Sequence, residues 1–254
     1  MRLALLADPA VRSAFSRAIA REVEYHPSID STQMRARDLA SAGASGVVVA
    51  EEQRAGQGTH GRVWYATAGS SLLASWIMRP APSAPALFAA LAGVAVARAL
   101  DALGCEGARL EWPNDVLLAG RKVAGALAHA TSDGFGGALV LGIGVNVRQR
   151  AEDFPVDVRE RATSVAIAGR TVDRLALLAR LSAELDRLTP SAARGAALDE
   201  WRARSTQLGR SVVVRLAQRD PIRGTATAID YDGALLVETD SGRERILAGE
   251  VALA

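Results

Sequence analysis

Residues 110–125 read Leu-Glu-Trp-Pro-Asn-Asp-Val-Leu-Leu-Ala-Gly-Arg-Lys-Val-Ala-Gly. Two apolar segments within this stretch, 116–118 and 123–128, have the length of β-strands. Ala119-Gly120 lies between them and is typical of a tight turn. The stretch therefore predicts a β-hairpin that brings the two ends of the quoted sequence close together.

Three polar residues lie at the ends of these predicted strands: Asn114, Asp115 and Lys122. Of the 30 Lys and Arg residues, Lys122 is the only lysine, and Asn114 and Asn146 are the only asparagines. A site that places one compact ammonium beside a carboxylate or phosphate accepts the broad fork of Arg poorly. A lysine retained by chance on a solvated turn is the alternative, but the neighbouring polar residues favour a site.

The composition limits the possible classes of protein. The chain has 254 residues, 49% of them hydrophobic, which predicts one large domain or one with a small appendage. The net charge is +2, and the charges are interspersed, so we expect no nucleic-acid partner. Cys105 is the only cysteine, which indicates a reducing compartment and a buried free thiol.

No membrane or export signal is evident. Charged residues interrupt the segment 1–8 too early for a signal peptide. The longest apolar run, 84–97, is too short to span a bilayer. We therefore expect a cytoplasmic protein without a membrane partner.

Periodicity predicts a mixture of helices and strands. The predicted helices are 10–23, 33–42, 84–103, 172–188 and 192–204. The predicted strands before residue 205 are 46–50, 70–78, 122–129 and 137–142. After Gly209 only short strands are predicted, at 211–216, 222–229, 234–238 and 243–247, with turns at 232–233 and 241–242. This last part predicts a small all-β, barrel-like unit.

A glycine-rich loop follows the predicted strand 46–50. Gly56, Gly58 and Gly61 make it too flexible for a core element, and such a loop can bring backbone N–H groups close to a phosphate. It lacks the Gly-Lys-Ser/Thr of a Walker motif, and no helix follows as a dinucleotide fingerprint requires. Arg62 suggests a phosphate clamp. Trp64 suggests an aromatic platform, although a core position would also explain it.

Five motifs together resemble the biotin protein ligase family over residues 24–254. They are Asp30-Ser31-Thr32, Gln53-x-Ala55-Gly56-x-Gly58-x-x-Gly61-Arg62-x-Trp64, Trp112-Pro113-Asn114-Asp115, Gly120-Arg121-Lys122-Val123-Ala124-Gly125 and Gly142-x-Gly144-x-Asn146. Without the resemblance, the hydroxyls of the first motif are explained equally well as helix N-caps.

The resemblance implies an α+β fold: a mixed sheet packed against helices, as in the class II synthetase-like biotin/lipoate ligase core, with a C-terminal SH3-like barrel. We expect a catalytic domain over 1–205, which includes a helical extension over 1–24, and the barrel over 206–254. The chain resembles the monofunctional members, because no helix-turn-helix fits before residue 25.

The resemblance also implies a two-step reaction and a set of site residues. Biotin reacts with ATP to give biotinyl-5′-AMP, and biotin then passes to a lysine of a biotin carboxyl carrier domain. Lys122 and Arg62 are the implied catalytic residues. Biotin is implied to bind at Ser31, Thr32, Gln33, Gln53, Gln57, Gly58, Thr59, Lys122 and Gly125. ATP is implied to bind at Arg62, Trp64, Asn114, Asp115 and Asn146, with Asp115 as the candidate Mg²⁺ ligand.

The glycine-rich loop departs from the family pattern at two positions, where Gln57 and Thr59 replace arginines. We expect looser retention of biotinyl-AMP, unless His60 or another Arg compensates. A lipoate or octanoate transferase and a biotin-binding sensor are the alternative functions. The resemblance permits a monomer or a homodimer.

Overall fold

The computed structural model describes residues 3–82, 84–132, 134–216 and 219–254, without the side chain of His60. Its helices are α1 (Pro9–Ala18), α2 (Thr32–Ser41), α3 (Pro85–Ala102), α4 (Val156–Arg159), α5 (Arg174–Leu188) and α6 (Ser191–Arg204). Short 3-10 turns occupy Leu3–Ala7, Thr59–Gly61 and Ala151–Asp153. One sheet contains β1 (Val23–His26), β2 (Gly46–Ala50), β3 (Ser71–Met78), β4 (Arg109–Glu111), β5 (Asp115–Leu118), β6 (Arg121–Thr131) and β7 (Ala138–Asn146). The other contains β8 (Ser211–Leu216), β9 (Arg219–Ile229), β10 (Leu235–Thr239), β11 (Gly242–Ile246) and β12 (Glu250–Leu253).

The larger sheet is mixed, as predicted, with seven strands in the order β1-β2-β3-β7-β6-β5-β4. Only β1 and β2 run parallel, and the other neighbours are antiparallel. The predicted hairpin is confirmed as β5–β6. Ala119 and Gly120 have φ angles of +51° and +75°, which are the left-handed values that a two-residue hairpin turn requires.

Side chains alternate between the two faces of this sheet, and each face has its own apolar cluster. Val47 and Val49 of β2 belong to the main core, where α3, α5 and α6 pack. Val48 points the other way, into a small cluster with α2 and Val140. Helix α2 covers only the part of this second face around Val48 and Val140. Farther along β7 the face carries Gly142, Gly144 and Asn146. The uncovered part is available for a site.

Helix α3 is the centre of the main core. It is 18 residues long and apolar enough to cross a membrane by length and composition, but 67% of it is buried inside the protein. Burial on all sides explains why its apolar residues do not form one stripe. Cys105 follows this helix and is fully buried, as predicted.

The smaller sheet is antiparallel, with five strands in the order β11-β10-β9-β8-β12. Trp112, which follows β4, makes one hydrogen bond to a turn of the smaller sheet and one to the segment that precedes that sheet. Trp112 Nε1 donates to Gly233 O at 2.9 Å, and Trp112 N donates to Gln207 Oε1 at 2.8 Å. The all-β composition of this part was predicted. Its closure into an SH3-like barrel and the domain limits 1–205 and 206–254 stay predictions.

Several element predictions were wrong at the N-terminus and at short strands. The helix predicted over 10–23 ends at Ala18, because Ala20 has φ +51° and Val23 pairs with Val47 in β1. β1 therefore begins inside the predicted helical extension 1–24. β1, β4 and β12 have three or four residues each, too few for a two-residue alternation to stand out.

Candidate active site

A cavity of about 520 Å³ lies on the sheet face opposite α3. The sheet forms its floor, and the glycine-rich loop and the segment 154–162 form its walls. All the residues that the sequence predicted for the site line this one cavity. They are Ser31, Thr32, Gln33, Gln53, Gln57, Gly58, Thr59, Arg62, Trp64, Asn114, Asp115, Lys122, Gly125 and Asn146.

The start of α2 places a chain of buried polar groups at one end of the cavity. Ser31 caps the helix, since its Oγ accepts from Met34 N at 3.4 Å. Thr32 donates to Gln53 Oε1 twice, from its backbone N at 2.8 Å and from Oγ1 at 2.9 Å. Thr32 Oγ1 in turn accepts from Ser75 Oγ at 2.9 Å. Each of these groups has a fixed partner, so the end of the cavity presents an ordered set of polar atoms.

Gln33 lies beneath this chain and binds the sheet itself. Its Nε2 donates to Leu127 O at 3.3 Å and to Val140 O at 3.2 Å. Its Oε1 lies 3.1 Å from Ser75 Oγ. A Cβ atom at Gly142 would collide with Gln33 Oε1, so the glycine of β7 is required for this packing.

Two glycines on neighbouring strands form a flat floor in the middle of the cavity. Gly125 of β6 and Gly144 of β7 are paired in register, and Trp64 lies over both. A Cβ at Gly144 would be 2.6 Å from Trp64 Cε2, and one at Gly125 would be 3.3 Å from Trp64 Cζ3. Trp64 Nε1 is buried and has no hydrogen-bond partner among the described residues. An unpaired buried donor in a cavity favours the binding of a ligand acceptor there.

The glycine-rich loop folds back on itself above this floor. Gly58 N donates to Arg62 O at 2.7 Å, and Trp64 N donates to Gly56 O at 3.0 Å. The exposed side chain of Arg62 reaches the smaller sheet, where Nη2 lies 3.1 Å from Glu250 Oε1. The loop therefore contacts both sheets. His60 was expected to compensate for the two missing arginines, but its side chain lies outside the described part of the structure.

Lys122 and Asp115 come together across the β5–β6 hairpin. Lys122 Nζ lies 2.6 Å from Asp115 Oδ1, and about a third of each side chain is exposed. The contact is an ion pair and not a hydrogen bond, since Asp115 Oδ1 has no partner with hydrogen-bond geometry among the described residues. Lys122 Nζ is also 5.8 Å from the centre of the Trp64 ring. The Lys122 ammonium thus lies near both the Asp115 carboxylate and the Trp64 ring, and Lys122 lines the cavity.

Glu111 is a second acidic residue of the cavity, and it was not among the predicted site residues. It pairs with Asp115 in register between β4 and β5. Burial raises the pKa of Glu111 above the usual glutamate value, and the nearby Asp115 adds to the rise. A hydrogen bond from Thr206 Oγ1, 3.2 Å away, opposes it. Glu111 precedes the motif that begins at Trp112, so no motif indicated it.

The two asparagines make structural hydrogen bonds at the edges of the cavity. Asn114 Nδ2 donates to Ala126 O at 2.7 Å. Asn146 Nδ2 donates to Thr163 O at 3.0 Å, and its Oδ1 accepts from Gln149 Nε2 at 2.9 Å. These hydrogen bonds give both asparagines a structural role. Their contact with a nucleotide stays a prediction.

The segment 154–162 forms a wall of the cavity, and no sequence pattern predicted it. It includes α4 and then forms a parallel bridge with the start of β6. Lys122 N donates to Arg161 O at 2.7 Å, and Thr163 N donates to Lys122 O at 2.8 Å. The backbone of Lys122 is thus held on the side away from β5. The segment is short, polar and irregular, so it had no periodicity to reveal it.

Two family models match the chain. The model of the biotin/lipoate A/B protein ligase family matches residues 25–146, and the model of the biotin protein ligase C-terminal domain matches residues 208–253. The first match includes most of the cavity residues. The second coincides with the smaller sheet.

Named relatives match most of the chain. The biotin–[acetyl-CoA-carboxylase] ligase of Paracoccus denitrificans is 36% identical, over 87% of this chain and 96% of that protein. The bifunctional ligase/repressor BirA of Bacillus spizizenii is 32% identical, over 90% of this chain and 73% of that protein. The biotin protein ligase of Aquifex aeolicus, solved in complex with biotin and ATP, is 29% identical with a TM-score of 0.75, over 91% of this chain and 98% of that one. The chain therefore belongs to the biotin protein ligase family.

Proposed function

We propose that this protein is an ATP-dependent biotin protein ligase. In the first step a biotin carboxylate oxygen attacks the α-phosphorus of ATP, the bond to the β-phosphate breaks, and pyrophosphate leaves. In the second step the ε-amine of a carrier lysine attacks the acyl carbon, and AMP leaves. The observation that carries the proposal is the convergence of every predicted site residue on one cavity in a chain of this family.

Lys122 is suited to the first step by its charge and position. Two anions, a carboxylate and a triphosphate, must approach each other, and their repulsion is lowered by a fixed cation between them. Lys122 carries an ammonium at the cavity wall, and backbone bonds on both sides of the strand fix its position. Asp115 holds the ammonium in place before substrates bind.

The polar chain at the start of α2 is suited to the ring system of biotin. The ureido group of biotin has one carbonyl acceptor and two N–H donors, so it needs both donors and acceptors from the protein. Ser31 and Thr32, which are buried, and Gln53, which is partly buried, offer both in an ordered array. Gln57, Gly58 and Thr59 of the loop would close over the bound molecule, which would lie along the sheet with its carboxylate toward Lys122.

The middle of the cavity is suited to the nucleotide. Trp64 offers an aromatic ring for stacking with adenine and an unpaired buried N–H donor. Arg62 would bind phosphate once it leaves Glu250. Asn114 and Asn146 keep the floor in shape around it.

Magnesium would be held by Asp115, with Glu111 paired beside it. Two neighbouring carboxylates and the phosphates of a substrate form the oxygen-rich donor set that Mg²⁺ prefers. The ion would supply charge neutralisation of the triphosphate when bound.

We propose a biotin carboxyl carrier domain as the protein substrate, in the cytoplasm, with the enzyme as a monomer or homodimer. The domains proposed are a catalytic unit, 1–205, and a C-terminal unit, 206–254. The break between the two family matches, 25–146 and 208–253, supports this division.

A transfer assay tests the proposal. The protein is incubated with Mg²⁺-ATP and an apo carrier domain, with biotin or lipoate in parallel, and the mass of the carrier is measured. We expect a biotin-sized gain with biotin alone. A lipoyl gain would contradict the proposal and favour the transferase alternative, which the C-terminal family match argues against.

The sensor alternative rests on Gln57 and Thr59, which replace two arginines of the family loop. It predicts tight biotin binding by calorimetry and no transfer to the carrier. Reversion of both positions to Arg would then restore transfer. The retention of Lys122 in the cavity favours the ligase, because binding alone does not need that ammonium.

A further inference from the structure

Ser75 of β3 places a hydroxyl at the end of the cavity that lies against α2. The residue lines the cavity and is fully buried, within a strand whose eight residues are all buried. A buried hydroxyl without a partner is costly, so its hydrogen bonds have to be made inside the protein. They are made to α2, the helix that carries predicted biotin-binding residues.

The hydroxyl of Ser75 is a donor to two oxygens of α2. Its Oγ lies 2.9 Å from Thr32 Oγ1 and 3.1 Å from Gln33 Oε1. The amide of Gln33 is oriented with its Nε2 toward two backbone carbonyls, those of Leu127 and Val140, so Oε1 is left as an acceptor for Ser75. A serine hydroxyl has a single proton, which these two acceptors share.

The hydrogen bonds of Thr32 leave its hydroxyl with only an acceptor to offer. Its proton is directed to Gln53 Oε1, 2.9 Å away, and one lone pair of Oγ1 accepts from Ser75. A threonine hydroxyl has one proton and two lone pairs, so one lone pair remains. Thr32 is buried and lines the cavity. Its hydroxyl can therefore accept a hydrogen bond from a ligand but cannot donate one.

On the basis of the proposed function, we propose that Ser75 is a positioning residue for biotin that acts through Thr32. By donating to Thr32 Oγ1, Ser75 keeps the proton of Thr32 on Gln53 and one lone pair available to a ureido N–H. The direction of this acceptor is set before biotin binds, so less ordering is required on binding. The role concerns binding and not the chemical step, because this chain of hydrogen bonds does not include Lys122.

A double-mutant cycle on Ser75 and Thr32 tests the proposal, with the initial rate of biotinyl-AMP formation as the measurement. Ser75→Ala should raise the KM for biotin about fivefold, the effect of losing one neutral hydrogen bond, and leave kcat and the KM for ATP within about twofold. Thr32→Val removes the hydroxyl and keeps the shape of the side chain. In that background Ser75→Ala should have less than about a twofold further effect, because the group through which Ser75 acts is gone.

Ser182→Ala is the matched control. Ser182 of α5 is also buried, and its hydroxyl accepts from Trp76 Nε1 at 3.0 Å, on the opposite face of the sheet from Ser75. This variant loses a buried hydroxyl as well, but the KM for biotin should not change. If Ser75→Ala does not fold, Ser75→Cys replaces it in the cycle, because a thiol is only a weak donor.

Two results would overturn the inference. One is a KM for biotin that stays at the wild-type value in the Ser75 variant. The other is an equal rise of this KM in the wild-type and Thr32→Val backgrounds, which would mean that Ser75 does not act through Thr32. Failure of the wild type to form biotinyl-AMP would instead overturn the proposed function.

Discussion

Lys122 is the residue on which the proposed chemistry depends most directly. Lys122→Ala should lower the rate of pyrophosphate release from ATP and biotin at least about a hundredfold, the cost of removing a major electrostatic contact. Its ion pair with Asp115 is about one third exposed, so the free energy of unfolding should change by less than about 1 kcal/mol. Urea denaturation measures this second quantity.

Arg121→Ala is the control for this prediction, since Arg121 is the preceding residue on the same turn and does not line the cavity. It should leave pyrophosphate release near the wild-type rate. A Lys122→Ala variant with more than a tenth of the wild-type activity would show that the ammonium is not catalytic.

The raised pKa of Glu111 should make the free energy of unfolding depend on pH. Its raised pKa means that the folded protein keeps this proton at a pH where the unfolded chain has lost it. The contribution of Glu111 to the free energy of unfolding therefore falls as pH rises above about 4.3, the usual glutamate pKa. Glu111→Gln does not ionise, so its stability relative to the wild type should increase between pH 4 and pH 7.

Urea denaturation of both proteins at the two pH values measures this difference. The same substitution at the exposed Glu106 controls for replacing a carboxylate by an amide. A relative stability that stays constant, or that moves in favour of the wild type as pH rises, would contradict the assignment of a raised pKa.

At the scale of elements, a buried ion pair connects α5 to the loop after β2. Arg174, the first residue of α5, is 3% exposed, and its Nη1 lies 2.7 Å from Glu51 Oε2 and 3.0 Å from Ser71 O. Arg174→Met leaves the Glu51 carboxylate without its cation. We expect the free energy of unfolding to fall by about 3–5 kcal/mol, as for other buried pairs that lose one partner.

The double variant Glu51→Gln, Arg174→Met tests the cause of this loss. It removes the uncompensated charge, so it should recover part of the stability in urea denaturation. A double variant that is less stable than Arg174→Met alone would indicate that the side chains stabilise the elements independently of each other.

At the scale of the whole molecule, the glycine-rich loop is linked to the smaller sheet by Arg62 and Glu250. This ion pair is exposed on both sides, at 59% and 46%, so it adds little to stability. The Glu250 carboxylate does, however, compete with phosphate for the Arg62 guanidinium. Glu250→Gln should therefore lower the KM for ATP up to about fivefold, the equivalent of up to about 1 kcal/mol for an exposed pair.

Steady-state kinetics of biotinyl-AMP formation measures the effect, and Asp240→Asn in the turn between β10 and β11 provides an exposed acidic control. A KM for ATP that rises in Glu250→Gln would mean that Glu250 prepares Arg62 for the nucleotide instead of withholding it.

The parts of this protein that depend on local chemistry could be predicted from the amino-acid sequence. The turn at 119–120 and the apolar runs on either side of it reflect preferences of neighbouring residues, so the hairpin was predictable. The family motifs indicated which side chains share a site, because each lies at a strand end or in a loop beside the same sheet face. Scarcity of Lys and Asn pointed to the same residues independently.

The tertiary structure alone decided the contacts between segments that are distant in the chain. Ser75 joins the polar chain of the site because β3 passes beneath α2. Glu111 is partly buried, and it accepts a hydrogen bond from Thr206, which is 95 residues away in the chain. Arg161 lines the cavity because the segment 154–162 passes beside β6. Glu250 contacts Arg62 because the second sheet lies next to the glycine-rich loop. An exposed polar residue has no periodicity, so its place is fixed by the packing of other elements and cannot be found from its neighbours in sequence.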